Sequence, residues 1–246
     1  MKRILCLDFD GVTRASLKET LLVSYNAYQV FNNKKSNKVK DINNIPVQIL
    51  EGYDRYRYLV RPARGFWILM SLLHQGGSDI NQQRFNQMTN EYREECLKYE
   101  PFFFSTRREL MTQHPEEWLR LHQPYSQCFE AWSNLEQVFL IYIVTSKNLA
   151  AVHQLIRYFD MPIPEQRIWT KERMEKKNEA LERIAVENDR SCKEIIFVDD
   201  HPLHIKDVEA TGTKCLWASW GYYKEEIKVK NRIDHLGDVF DYLDGD

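Results

Sequence analysis

Ile4-Leu5-Cys6-Leu7-Asp8-Phe9-Asp10-Gly11-Val12-Thr13 is the stretch from which the rest of the chain can be read. Four apolar residues lead straight into two carboxylates two positions apart. A short, wholly apolar run of this kind reads as a strand buried on both faces, as in a parallel sheet. Asp8 and Asp10 then fall at its carboxyl end, where open α/β sheets bind ligands, and Gly11 lets the chain turn away sharply. Two acids held close resist joint ionisation unless a cation or a proton intervenes. The pair therefore predicts a bound metal, or a carboxylate that works as an acid. On its own the motif is short. With 15 Asp in 246 residues, roughly one Asp-x-Asp arises by chance, and Asp244-Gly245-Asp246, with no strand before it, is such an accident. The remaining motifs have to decide.

Composition narrows the classes. A chain that is 43% hydrophobic and 28% charged builds a packed core rather than a disordered ensemble. Its length suits one large domain, or a core with a smaller insert. A net charge of −2 gives no electrostatic case for nucleic acid or membrane as a partner. No apolar run approaches the roughly 18 residues of a spanning helix, and Met1-Lys2-Arg3 followed by four apolar residues is too short for a secretory signal. Cys6, Cys96, Cys128, Cys192 and Cys215 are odd in number and scattered, without Cys-x-x-Cys. They suit reduced thiols better than a disulfide framework or a zinc site. A cytoplasmic protein is the expectation.

After the first strand, Ser16-Leu17-Lys18-Glu19 has the form of a capping box, and Leu17, Leu21, Tyr25 and Tyr28 recur at helical spacing to about Phe31. Asn32 to Asp41 hold four lysines and one apolar residue, which reads as a solvated loop. From Ile45 to about Tyr125 the spacing is helical throughout. Pro62 is placed to open a helix running to Gly76-Gly77, with Phe66, Leu69, Met70 and Leu73 on one stripe. A second helix is predicted from Asn81 to Tyr99 and a third around Glu116 to His122. Beyond the insert, strands and helices alternate: strand 139–144, helix 149–159, strand 167–169, a charged helix 172–187, strand 194–198, helix 202–211 and strand 214–217. Such alternation predicts a parallel sheet with right-handed crossovers. The fold class is therefore α/β: a Rossmann-like parallel sheet core, residues 1–18 and 126–246, with an inserted all-helical cap, residues 19–125.

Three further stretches bring chemistry to the same sheet edge. Strand 139–144 ends in Thr145-Ser146-Lys147-Asn148, where hydroxyls and the open amides of a helix start can cradle phosphate. An ordinary N-cap by Ser146 or Asn148 is the alternative. The helix near 172–187 carries Lys176 and Lys177, either of which can offset phosphate charge, though most charges on that helix read as a solvated face. Ile195-Ile196-Phe197-Val198-Asp199-Asp200 repeats the opening logic of an apolar strand ending in carboxylates. A hard divalent cation with oxygen ligands, Mg²⁺ above all, reconciles Asp8, Asp10, Asp199 and Asp200 in one place.

Asp8-Phe9-Asp10-Gly11-Val12-Thr13, the hydroxyl of Thr145, a downstream lysine and Val198-Asp199-Asp200 resemble the four motifs of the haloacid dehalogenase superfamily. Trp220-Gly221-Tyr222 is similar to a tail found in its phosphoglycolate-phosphatase-like members, and the helical insert sits where the family carries a cap. The resemblance implies a nucleophile at Asp8 and a general acid/base at Asp10. It implies phosphate binding by Thr145, Ser146 and Lys177, with Lys176 as the second candidate lysine, and metal binding by Asp8, Asp10, Asp199 and Asp200. Ala15 departs from the acid many relatives carry there, and the lysine lacks their usual Gly-Lys-Pro frame. The implied activity is Mg²⁺-dependent hydrolysis of a small phosphorylated metabolite through an aspartyl-phosphate. The alternatives are a phosphomutase and a non-catalytic binding domain of the same fold. In the insert, Tyr53 to Arg64 hold four arginines among three tyrosines. These are either anion-binding forks, Arg57 and Arg61 foremost, or a solvated helix face over packed tyrosines.

Overall fold

The computed structural model describes residues 2–61, 63–77, 79–223 and 230–243, so Pro62 and the Asp244–Asp246 tail lie outside the described residues. The chain divides into two compact units, residues 1–15 with 123–246 and residues 16–122, where the sequence reading put its boundaries at 18/19 and 125/126.

The discontinuous unit is built on a sheet. Its strands are β1 (Arg3–Leu7), β2 (Arg14–Ala15), β3 (Gln123–Pro124), β4 (Phe139–Val144), β5 (Ile168–Trp169), β6 (Ile195–Asp199), β7 (Lys214–Ala218) and β8 (Arg232–Ile233). Six of them form one sheet in the order β5-β4-β1-β6-β7-β8, every pairing parallel. β2 and β3 form a separate antiparallel ribbon. The apolar run Ile4–Leu7 is buried on both faces, as the sequence requires of a central strand between two parallel neighbours. The chain is thus an α/β protein with a Rossmann-like core.

Register carries the site. Leu7 is level with Ile143 of β4 and with Val198 of β6, and the Asp8 amide donates to the Val198 carbonyl at 2.9 Å. The residues that follow each strand, Asp8, Thr145 and Asp199–Asp200, are therefore delivered to one edge. The charged helix begins later than its sequence suggests, spanning Lys177–Glu187 rather than 172–187. Arg173 and Met174 instead bond back to the Thr170 carbonyl in a turn that buries Met174 in the core, and the helical face that packs beside it is Lys177, Ala180, Leu181 and Ile184.

Residues 16–122 contain six α-helices and, among the described residues, no strand. The helix Leu17–Phe31 is as expected, but the capping box is not formed. Glu19 is fully buried and accepts from Arg107 Nε and Nη2 at 2.7 and 2.9 Å and from Trp118 Nε1 at 3.3 Å. A buried carboxylate needs a charged partner more than a helix amide needs a cap. The predicted helix 81–99 is two helices, Gln82–Glu91 and Arg93–Gln113, broken at Tyr92, and the second runs on through Pro101. The helix Phe66–His74 buries the predicted stripe. Tyr53, Tyr56 and Tyr58 are packed inward, and Arg57 donates to the Val60 carbonyl at 2.9 Å with its guanidinium 4.9 Å from the Phe66 ring. Arg57 thus serves this unit's own packing.

Candidate active site

Asp8, Asp199 and Asp200 are buried, and each offers a carboxylate oxygen such that the three lie within 4.8 Å of one another. Strand pairing supplies this proximity: β1 and β6 are neighbours, and both end at the same level. Lys177, the first residue of its helix, reaches in with its ammonium 2.7 Å from Asp8 and 2.7 Å from Asp199. Lys176 is exposed, so the structure brings Lys177 and not Lys176 to the acids.

The three carboxylates are not equivalent. Burial acts to raise Asp199, but Lys177 and His204 override it and hold its pKa well below the usual range. His204 Nδ1 stands 3.1 and 3.2 Å from its oxygens, and the His201 amide donates to it at 2.8 Å. Among the described residues no such cation is paired with Asp200. Burial, then the charges of Asp199 and Asp8, push its pKa up to about 8. Asp8 shares its lysine with Asp199, and burial raises it to about 7. Burial would lower Lys177, but Asp199 and Asp8 raise it, so it stays an ammonium. Three acids against Lys177 and His204 still leave the cluster short of positive charge, a condition met either by protons or by a cation.

Asp10 lies outside this group of three. Its half-buried carboxylate is 3.0 and 3.2 Å from the Nζ of Lys147. Thr145 is buried at the end of β4, its amide bonded to the Trp169 carbonyl at 2.9 Å, and its hydroxyl accepts from the Lys147 amide at 3.2 Å. Ser146 is exposed at the same turn. Within the Thr145–Asn148 turn the sequence alone assigns Lys147 no role. The signal was a lone cation between a strand end and a helix start.

The segment after β7 closes around Asp200. Trp217 Nε1 donates to the Asp200 carbonyl at 2.8 Å and the Tyr222 amide to its carboxylate at 2.7 Å. Trp220 Nε1 donates to the Val12 carbonyl at 3.0 Å, tying the same segment to the turn after Asp10. Close approach demands glycine here. A Cβ on Gly221 would stand 2.1 Å from the Asp200 Cβ, and one on Gly11, where φ is +91°, 2.5 Å from its Oδ2. Gly221→Ala is therefore expected to cost about 1–3 kcal/mol by overpacking and to lower Tm by several degrees. Gly237→Ala, whose added Cβ meets nothing within 4 Å, is the control and should melt like the parent. Equal melting of the two variants would show that the 217–223 segment yields freely.

No protein-family model matches the chain, and no curated protein matches it by sequence. Solved structures do. A predicted phosphoglycolate phosphatase from Haemophilus somnus 129PT superposes with a TM-score of 0.68 at 13% identity, covering 98% of this chain and 97% of that one. A HAD-superfamily hydrolase of subfamily IA, variant 1, from Geobacter sulfurreducens PCA has a TM-score of 0.58 at 14% identity over 98% and 96%. A predicted phosphatase from Clostridium acetobutylicum has a TM-score of 0.60 at 12% identity over 99% and 98%. The chain thus has the fold of the haloacid dehalogenase-like hydrolases along its whole length.

Proposed function

We propose that this chain is a phosphatase of the haloacid dehalogenase type, Mg²⁺-dependent and cytoplasmic, that hydrolyses a small phosphorylated metabolite. The observation that carries the reading is the cluster of Asp8, Asp199 and Asp200 with Lys177 between two of them at the carboxyl edge of the sheet. Three buried carboxylates with one lysine fit a hard divalent cation, which Asp8, Asp200 and Asp199 would hold. When bound, Mg²⁺ supplies positive charge against the carboxylates and the phosphoryl oxygens.

On this reading a carboxylate oxygen of Asp8 attacks phosphorus. The Asp8–phosphorus bond forms as the bond to the leaving oxygen breaks, and Asp10 gives that oxygen its proton. A water then attacks the same phosphorus and passes a proton to Asp10, the aspartyl-phosphate bond breaks, and inorganic phosphate leaves. Lys177 and the hydroxyls of Thr145 and Ser146 meet the charge on the transferring oxygens, so that positioning and electrostatics supply most of the acceleration.

The test is inorganic phosphate released from a panel of phosphorylated metabolites, with and without a bisphosphate activator. Multiple turnovers without activator are expected. Release that depends on a bisphosphate, with isomerised product, would indicate a phosphomutase, and no release from any member would leave a binding domain.

A further inference from the structure

Among the described residues, Lys147 is the one buried ammonium near the site that the reaction above does not use. Its side chain is 1% exposed, and it faces the carboxylate of Asp10, itself 22% exposed, with both oxygens within 3.2 Å. The local chain is shaped for this. The Lys147 amide closes a two-residue turn on the Thr145 hydroxyl, which ends β4 and directs the next side chain inward. Asp10 follows β1, the strand next to β4, so the pair is formed across neighbouring strand ends.

The division of cations is specific. Lys177 serves Asp8 and Asp199, and the Tyr222 amide serves Asp200. Lys147 serves Asp10, which stands outside the group of three acids. One ammonium touching both oxygens of a carboxylate fixes the plane and rotamer of that group.

We propose that Lys147 is a positioning residue for Asp10, holding the plane and rotamer of its carboxyl so that it is aimed at the leaving oxygen. The inference rests on the phosphatase reading above. Aim of this kind bears on the proton-transfer step rather than on substrate binding. A misaimed acid can cost about 10²-fold through loss of alignment alone.

The test uses the leaving group. An alkyl phosphate leaves as a strongly basic alkoxide and needs the proton, whereas a nitrophenyl phosphate leaves as a stable phenolate and does not. Single-turnover release of alcohol and of nitrophenolate is measured with enzyme in excess, which removes the second half-reaction from the rate. For Lys147→Met the ratio of the alkyl to the aryl rate should fall about 10–100-fold, and Lys147→Arg should recover most of it. An equal fall on both substrates would make Lys147 a structural counter-charge only, and no fall on either would leave it without a role; both overturn the proposal. Circular dichroism checks folding, and Lys147→Gln carries the same comparison if Lys147→Met does not fold. A parent protein that turns over neither substrate would instead overturn the phosphatase reading, and this inference with it.

Discussion

Asp8→Asn is expected to abolish turnover, by roughly 10⁴–10⁶-fold as for loss of a nucleophile elsewhere, while the protein stays folded. The amide has nearly the shape of the carboxylate, so it fits the buried site at the end of β1, but its oxygen is neutral and poorly nucleophilic. Lys177 keeps Asp199 as an ion-pair partner at 2.7 Å, so the substitution leaves no lone buried ammonium. Burial already pushes the Asp8 carboxyl up to about 7. A neutral group there should therefore leave the melting temperature of the metal-free protein unchanged or higher. Phosphate release and a thermal melt on the same preparation decide the matter. Residual activity within tenfold of the parent would remove Asp8 from the nucleophile role, and an unfolded variant would show that its charge is needed for structure.

Chelation of divalent cations is expected to stop activity, and the same cluster makes the stability of the metal-free protein depend on pH. Asp200 is raised to about 8 and Asp8 to about 7, against an unfolded value of about 3.9. Between those limits the folded state binds protons that the unfolded state releases, so stability falls as pH rises from about 4 to about 8. The slope reaches about 1.4 kcal/mol per pH unit for each such proton. Asp199 acts with the opposite sign and in another window. Its pKa is depressed, so the stability it contributes is present above about 4 and is lost only in stronger acid. Mg²⁺ competes with the protons for Asp8 and Asp200 and should raise Tm markedly at pH 8 and little at pH 5. Asp200→Asn should flatten both the pH dependence and the Mg²⁺ response. Melts at the two pH values, with and without Mg²⁺, read this directly. A metal-free Tm that does not change from pH 5 to 8, or a Mg²⁺ shift untouched by Asp200→Asn, would count against the cluster as the cation site.

Much of this was legible because it is local. An apolar run four or five residues long that ends in acids can be read without knowing its neighbours, and Ile4–Asp10 and Ile195–Asp200 are both of this kind. Helical spacing in the insert was equally clear where the stripe was strong, as at Phe66, Leu69, Met70 and Leu73. Reading failed where a residue's partner lies far along the chain. Ser16-Leu17-Lys18-Glu19 has every feature of a capping box, yet Glu19 pairs with Arg107, 88 positions away. The break at Tyr92 has no Gly or Pro to mark it, and Pro101 stands inside a helix that a local rule would have stopped.

The sequence by itself determined the α/β class, five of the six strands of the main sheet around the helical insert, and the set of acids at the strand ends, since these follow from residue spacing alone; the two-residue strands β2, β3 and β8 and the helix Ser126–Val138 were not legible in it. Only the tertiary structure decided which charges meet. The helix start at Lys177 turned that lysine, and not Lys176, into the acids. The adjacency of β1 and β4 paired Lys147 with Asp10. The placing of His204 and Lys177 on Asp199 left Asp200, among the described residues, without a cation of its own, although the two residues are neighbours in the chain and chemically identical. Proton affinity and ion pairing depend on distance and burial in three dimensions, and neither is written in the spacing of residues along the chain.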